Sequence, residues 1–216
     1  MKTLLVINAS ARTSRSLTRG LSQIFIDSWL RHRPNDQVIN RDLANNPPPH
    51  VTENWIAACF ADPDKRTDEM KQELEWSDGA ITEVEKADVI VLAVPMYNYG
   101  MPSALKAWFD QVIRIGKTFS FDLSRGDWPL EPIMSGKQLV VLSSRGEFGF
   151  ALGGIREQKN HLDSHIATCA HYIGVETSMI YTASIEYQEF RDERHSLSRT
   201  RAEAEAAVLA HELAWT

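Results

Sequence analysis

Residues Ala87–Val94 read ADVIVLAV, and Val94–Pro102 continue as VPMYNYGMP. The first run is unbroken and rich in β-branched residues. A strand with one wet face would alternate apolar and polar positions. A continuous run is instead the pattern of a strand covered on both faces, as in the middle of a parallel sheet. The chain then spends two prolines, two tyrosines and an asparagine on a turn before SALKAWFDQVIRI (Ser103–Ile115), which reads as a helix.

The same pattern recurs on either side. Lys2–Asn8 (KTLLVIN) and Lys137–Ser143 (KQLVVLS) are short apolar runs that end at turn residues. Gln37–Arg41 is a shorter candidate strand and Glu176–Tyr181 a last one. Helical spacing is read at Ser16 to about Arg31, at 51–61, at Glu69–Lys86 across Gly79, at Asn160–Ile173 before Gly174, and at Ser198–Ala214. NNPPP (Asn45–Pro49) and ADPDKRTDE (Ala61–Glu69) are loops. Thr118–Pro132 is an aromatic-bearing loop or hairpin, and Ser144–Gly154 is a glycine-bearing loop.

No composition break or repeat divides the chain, so 1–216 reads as one domain. Buried strands alternating with helices imply an α/β fold: a doubly wound, five-stranded parallel sheet with helices on both faces. The flavodoxin-like strand order 2-1-3-4-5 fits. In such sheets a ligand lies beyond the carboxyl ends of the strands, at the switch point between the first and third. That directs attention to the loops after Asn8, Val94 and Ser143.

Composition narrows the partners. A net charge of −6 argues against general nucleic-acid binding, which depends on neutralising phosphates. No segment reaches the ~20 apolar residues of a membrane span. The run Leu4–Ile7 is too short for a signal peptide core. Two distant cysteines, Cys59 and Cys169, fit a reducing compartment, so a cytoplasmic protein is expected.

The first loop, NASARTSRSLTRG, puts Ser10, Ser14 and Ser16 among Arg12, Arg15 and Arg19 just before a helix. Free N–H groups and partial positive charge at a helix start suit a phosphate. Serines before a helix are also ordinary N-caps. There is no GxxxxGK(S/T) and no GxGxxG, so a single phosphate fits better than a pyrophosphate. In the second loop, Pro95 and Pro102 stiffen a turn carrying Tyr97, Asn98 and Tyr99. The rings could pack under the sheet end or face a flat ligand. The third loop, SSRGEFGFALGG, has glycines that admit close backbone approach; it equally reads as a flexible surface loop. A phosphorylated flat heterocycle, flavin mononucleotide (FMN), fits all three loops together.

PMYNYGMPSALKAWFD, SSRG after the fourth strand and NAS…SRS after the first resemble the FMN-dependent NADH-azoreductase family, also described as NADH:quinone oxidoreductases. The resemblance runs from Lys2 to about Tyr181. It implies FMN at a homodimer interface, electrons from NADH or NADPH, and a quinone or azo compound as acceptor. Hydride would pass through flavin N5 in a ping-pong cycle, with no catalytic side chain. It also implies that Ser10, Ser14, Arg15 and Ser16 hold the phosphate. Met96, Tyr97, Asn98 and Tyr99 would line the isoalloxazine, and Ser144, Arg145, Gly146 and Glu147 its far side. Phe119 and Phe121 could roof the ring from a partner subunit or simply pack in a hairpin. Glu147 departs from the family's glycine. A carboxylate there disfavours a negatively charged reduced flavin unless it points to solvent or pairs with Arg145.

Other readings carry less. His161 and His165, with Asp163 between them, lie near i, i+4 spacing on a helix, but there is no HExxH glutamate and no third ligand, so they read as a solvated face rather than a metal site. Ser10 with Asp42 or Asp88 and a histidine could imitate a hydrolase, but no GxSxG elbow occurs. A flavodoxin-type electron carrier without an organic substrate would not need the 40–80 or 118–132 segments.

Overall fold

The computed structural model describes residues 1–215. In chain order the strands are β1 (Thr3–Asn8), β2 (Gln37–Asp42), β3 (Val89–Pro95), β4 (Phe119–Phe121), β5 (Leu130–Pro132), β6 (Lys137–Ser144) and β7 (Val175–Ile185). The helices are α1 (Leu17–His32), α2 (Glu53–Phe60), α3 (Asp68–Lys86), α4 (Ser103–Val112), α5 (His161–His171) and α6 (Glu193–Ala214).

Strands β2-β1-β3-β6-β7 form one parallel sheet, which is the expected 2-1-3-4-5 order of its five members. Every residue of β3 is buried, as its unbroken apolar run requires. Its side chains still alternate between two cores. Ile90, Leu92 and Val94 face α3, α4 and α5, packing with Ile81, Trp108 and Ile166. Val89 and Val91 face α1 and α6, packing with Leu21, Phe25 and Trp29. Each such buried aliphatic side chain contributes roughly 1.5–3 kcal/mol relative to exposure. On α6 the buried positions Ala202, Ala206 and Ala210 recur every fourth residue, so a stripe of small side chains lets this helix lie close on the sheet.

Helix starts follow their caps. Ser16, Thr52, Thr67 and Asp192 each accept a backbone N–H from the first turn of α1, α2, α3 and α6. Asp192 explains why α6 begins at Glu193, five residues ahead of the expected Ser198. Gly79 leaves α3 continuous. Gly174, after α5, has φ 91°, and a Cβ there would meet the backbone of Met134 and Ser135 at 2.9 Å. Glycine is therefore needed both for the turn and for close passage of the neighbouring segment.

Two expected boundaries change more. The 118–132 segment contains a small antiparallel hairpin, β4 against β5. Strand β7 extends to Ile185 rather than stopping at Tyr181, because Thr182–Ile185 continue the ladder with Val141–Ser144. Ser184 and Ser143 satisfy each other there, Oγ to Oγ at 2.8 Å, so polar residues sit inside the strand without cost. Near its start β7 is irregular. Pairing steps from Lys137↔Val175 to Leu139↔Ile180, two residues on β6 against five on β7.

Candidate functional site

The carboxyl ends of β1, β3 and β6 deliver the three expected loops to one place. After β1, Ser10 is buried and Ser16 caps α1. Arg19 braces this loop: its guanidinium donates to the carbonyls of Arg12 (3.0 Å) and Ser10 (3.1 Å) and, through both terminal nitrogens, to Asp42 at 2.7 and 2.8 Å. The hydrogen bonds from Arg19 are the main reason the Asp42 carboxyl is held down at about 2, despite partial burial. Among the described residues, Arg12 and Arg15 make no side-chain hydrogen bond or ion pair, and no acidic residue lies in the first turn of α1. Two free cations therefore stand beside a helix N-terminus.

After β3, Met96 N–H donates to Ser144 C=O at 2.8 Å and joins the second loop to the third. Tyr97 and Gly100 exchange two backbone hydrogen bonds of 3.0 Å. Between them Asn98 (φ 47°) and Tyr99 (φ 67°) are both left-handed. This is the geometry of a type I′ turn, which asparagine tolerates and tyrosine rarely adopts. The turn separates its two rings. Tyr97 faces the cavity described below. Tyr99 lies against Phe150 and under Lys159 Nζ, and its hydroxyl donates to Glu147 at 3.1 Å. That bond pushes the Tyr99 hydroxyl up from its ordinary range.

After β6, Ser144 and Arg145 are buried. Arg145 turns inward to Asp163, donating to both carboxylate oxygens at 2.8 and 2.7 Å, with its guanidinium over Phe150. Asp163 is thereby committed to a structural ion pair. Glu147 pairs with Arg156 (2.9 Å) rather than with Arg145.

A fourth loop, 186–191 after β7, also belongs here. Glu186 accepts from Gly149 N–H and Phe150 N–H, and Tyr187, Gln188 and Glu189 donate backbone bonds to Glu147, Arg145 and Gly146. Tyr187 stacks on Phe148 with ring centroids 4.4 Å apart, and Phe190 packs edge-on to both. Nothing in EYQEFR announces this role, since it carries no glycine or hydroxyl signature. The signal was positional: a last strand that ends beside β6 must release its loop at the same sheet end.

These loops enclose a cavity of about 230 Å³. Its wall contains Ser10, Arg12, Arg15, Ser16 and Leu17 at one end, then Pro95, Met96 and Tyr97, with Ser144, Gly146, Gln188 and Glu189. Seven of the expected residues thus share one recess. Ser14 lies in an adjoining hollow with Ala11–Arg15. Asn98, Tyr99, Arg145 and Glu147 support the wall rather than form it. Phe119 packs on Tyr172 and lines a separate apolar hollow with Trp55 and Phe60, while Phe121 is exposed. Both cysteines are buried and free, and burial pushes the Cys169 thiol up to about 11. Among the described residues no histidine lines the cavity, and Asp88 is engaged by Thr3 N–H at 2.7 Å, so the elements of a hydrolase triad are not brought together there.

The donor set fits FMN. Free guanidinium groups, two serine hydroxyls and a helix start suit a phosphate dianion. A proline, a methionine and a half-exposed tyrosine form a flat wall, and Gly146 allows backbone to approach a ring edge.

Comparison with known proteins agrees. A family described as "Flavodoxin-like fold" matches residues 2–208. FMN-dependent NADH:quinone oxidoreductase 2 of Idiomarina loihiensis is 50% identical over 99% of this chain and 91% of its own length. The protein of the same name from Colwellia psychrerythraea is 51% identical over 94% of each chain. Among solved structures, an azoreductase from Bacillus anthracis superposes with TM-score 0.86 over 98% of this chain and all of its own, at 22% identity.

Proposed function

The chain belongs to the flavodoxin-like family of FMN-dependent NADH:quinone oxidoreductases, and on that premise we propose that it transfers two electrons from NADH to quinones and to azo compounds through FMN. The observation that carries this reading is the single recess in which unpaired Arg12 and Arg15 at a helix start meet the Pro95–Tyr97 wall and Gly146. When bound, FMN supplies the redox chemistry, accepting hydride from the nicotinamide and yielding it to the acceptor.

The chain's own residues bind and orient. Arg12, Arg15, Ser10, Ser16 and the first N–H groups of α1 hold the phosphate, with Ser14 at the edge. Met96 and Tyr97 support one face of the ring. Asn98 and Tyr99 set the turn that aims Tyr97. Ser144 and Gly146 present backbone to the ring edge. Arg145 positions that loop through Asp163, and Glu147 is neutralised by Arg156, so its charge does not oppose the cofactor.

The recess is smaller than the roughly 300–1,000 Å³ of a pocket that encloses a ligand. A second copy of the chain completes it, and the hairpin bearing Phe119 and Phe121 is the segment that closes the open face. The homodimer is one folded domain per chain. Buried free thiols fit residence in the cytoplasm, and among the described residues no helix is long and apolar enough to cross a membrane.

The test is optical. The purified chain is expected to bind FMN, lose the flavin's visible absorbance when NADH is added without oxygen, and recover it on addition of a quinone. Failure to take up FMN defeats the proposal. Uptake without reduction by NADH or NADPH points to an electron carrier.

A further inference from the structure

The loop after β7 brings a carboxylate into the cavity that phosphate binding does not use. Glu189 N–H donates to Gly146 C=O at 3.0 Å, which fixes its backbone against the third loop. Its side chain covers Gly146: a Cβ at that glycine would lie 2.9 Å from Glu189 Cγ and 3.7 Å from Oε1. Glu189 and Gly146 line the recess together with Met96 and Tyr97.

The other two carboxylates of these loops are spoken for. Glu147 pairs with Arg156, and Glu186 accepts two backbone N–H groups. Among the described residues the Glu189 carboxylate, alone of the three, makes no hydrogen bond or ion pair, although the Arg12 and Arg15 guanidinium groups stand in the same wall without partners. The cations and the free carboxylate therefore occupy different parts of the recess, the former at the helix start and the latter beside Gly146.

We propose that Glu189 sets the reducing power of the bound FMN: its carboxylate stands beside the ring at Gly146 and opposes the negative charge that reduction adds. This rests on the reading of the recess as an FMN site. A hydride from NADH carries two electrons and one proton and leaves as NAD⁺ is formed, so the cofactor gains one negative charge. A quinone then takes the hydride together with a proton from water, and that charge is lost. A fixed carboxylate weakens the drive of the first step and strengthens that of the second. The acceptors favoured are those that are hard to reduce, azo compounds among them, over readily reduced quinones.

A unit charge several ångströms away at a partly solvated site shifts such an equilibrium by about tenfold. The experiment is a spectroelectrochemical titration of the FMN-loaded full chain, in the parent, Glu189→Gln and Glu189→Ala, with Glu193→Gln, exposed at the start of α6, as a charge control. Both Glu189 variants are expected to hold reduced FMN about tenfold more tightly relative to oxidised FMN. For a two-electron couple that is a midpoint about 30 mV higher. Glu193→Gln leaves the midpoint in place. An unchanged midpoint in the Glu189 variants, or an equal rise in Glu193→Gln, overturns the role of Glu189 while the flavin site stands. A parent chain that takes up no FMN overturns the functional reading and this inference with it.

Discussion

Asp42 and Arg19 order the phosphate loop before any ligand arrives. Arg19 cannot be both brace and ligand, because its guanidinium is divided between Asp42 and two loop carbonyls. The native Asp42 carboxyl is depressed to about 2 from an ordinary 3.8, so its contribution is full above pH 4 and fades as pH falls towards 2. A shift of that size corresponds to about 2 kcal/mol. Asp42→Asn is expected to lose roughly that much stability at pH 7 in urea unfolding, and to flatten the pH dependence between 4 and 2. A second expectation concerns the free cations. Arg12→Ala and Arg15→Ala should each weaken FMN binding about tenfold, in line with a lost charge-assisted contact, while leaving riboflavin, which lacks the phosphate, unaffected. Equal losses for both flavins would place the arginines elsewhere. At this scale the sequence was only partly legible. The serines and arginines of the first loop could be read as phosphate ligands. Which arginine braces and which is free depends on Asp42, on another strand. Glu147 looked like an obstacle to the flavin, and its partner Arg156 is nine residues away on a loop whose path no motif encodes.

At the scale of elements, the turn Tyr97–Gly100 does more than hold an aromatic pair. Two consecutive left-handed residues force the chain back on itself, so Tyr97 lines the recess while Tyr99 lies against Phe150 and Glu147. Asn98→Val is expected to lose about 1–2 kcal/mol, because a β-branched residue resists that conformation. Asn98→Gly should stay within about 1 kcal/mol of the parent. Equal stabilities in chemical unfolding would mean the turn does not depend on its left-handed residues. The central strands were legible from sequence because burial on both faces leaves one unambiguous pattern. The end of β7 was not, because Ser184 is satisfied by Ser143, a neighbour that cannot be seen in the sequence. With the end of β7 misplaced, the loop carrying Gln188 and Glu189 could not be assigned to the site.

For the whole molecule, the strand order brings the ends of β1, β3, β6 and β7 side by side, and everything that touches the recess hangs from them. Ligand binding then reports on the entire fold. At FMN a hundredfold above its dissociation constant, stabilisation is about 2.7 kcal/mol. For a chain of this length that raises the midpoint of thermal unfolding by roughly 5–10 °C. A scan with and without FMN checks it, and riboflavin at the same concentration should give less.

The irregular start of β7 has a consequence for solubility. β7 is an outer strand of the sheet, and a straight outer strand offers a row of unpaired amides and carbonyls to any neighbouring chain. The three additional residues between Val175 and Ile180 break that row and bend the strand, with Glu176 adding charge at the break. Deleting Glu176–Ser178 would restore an even ladder and expose a continuous template for strand addition. Such a variant is expected to scatter light and sediment as large assemblies at concentrations where the parent stays clear. The bulge that spoils the regularity of the sheet is what keeps one molecule's sheet from growing into the next.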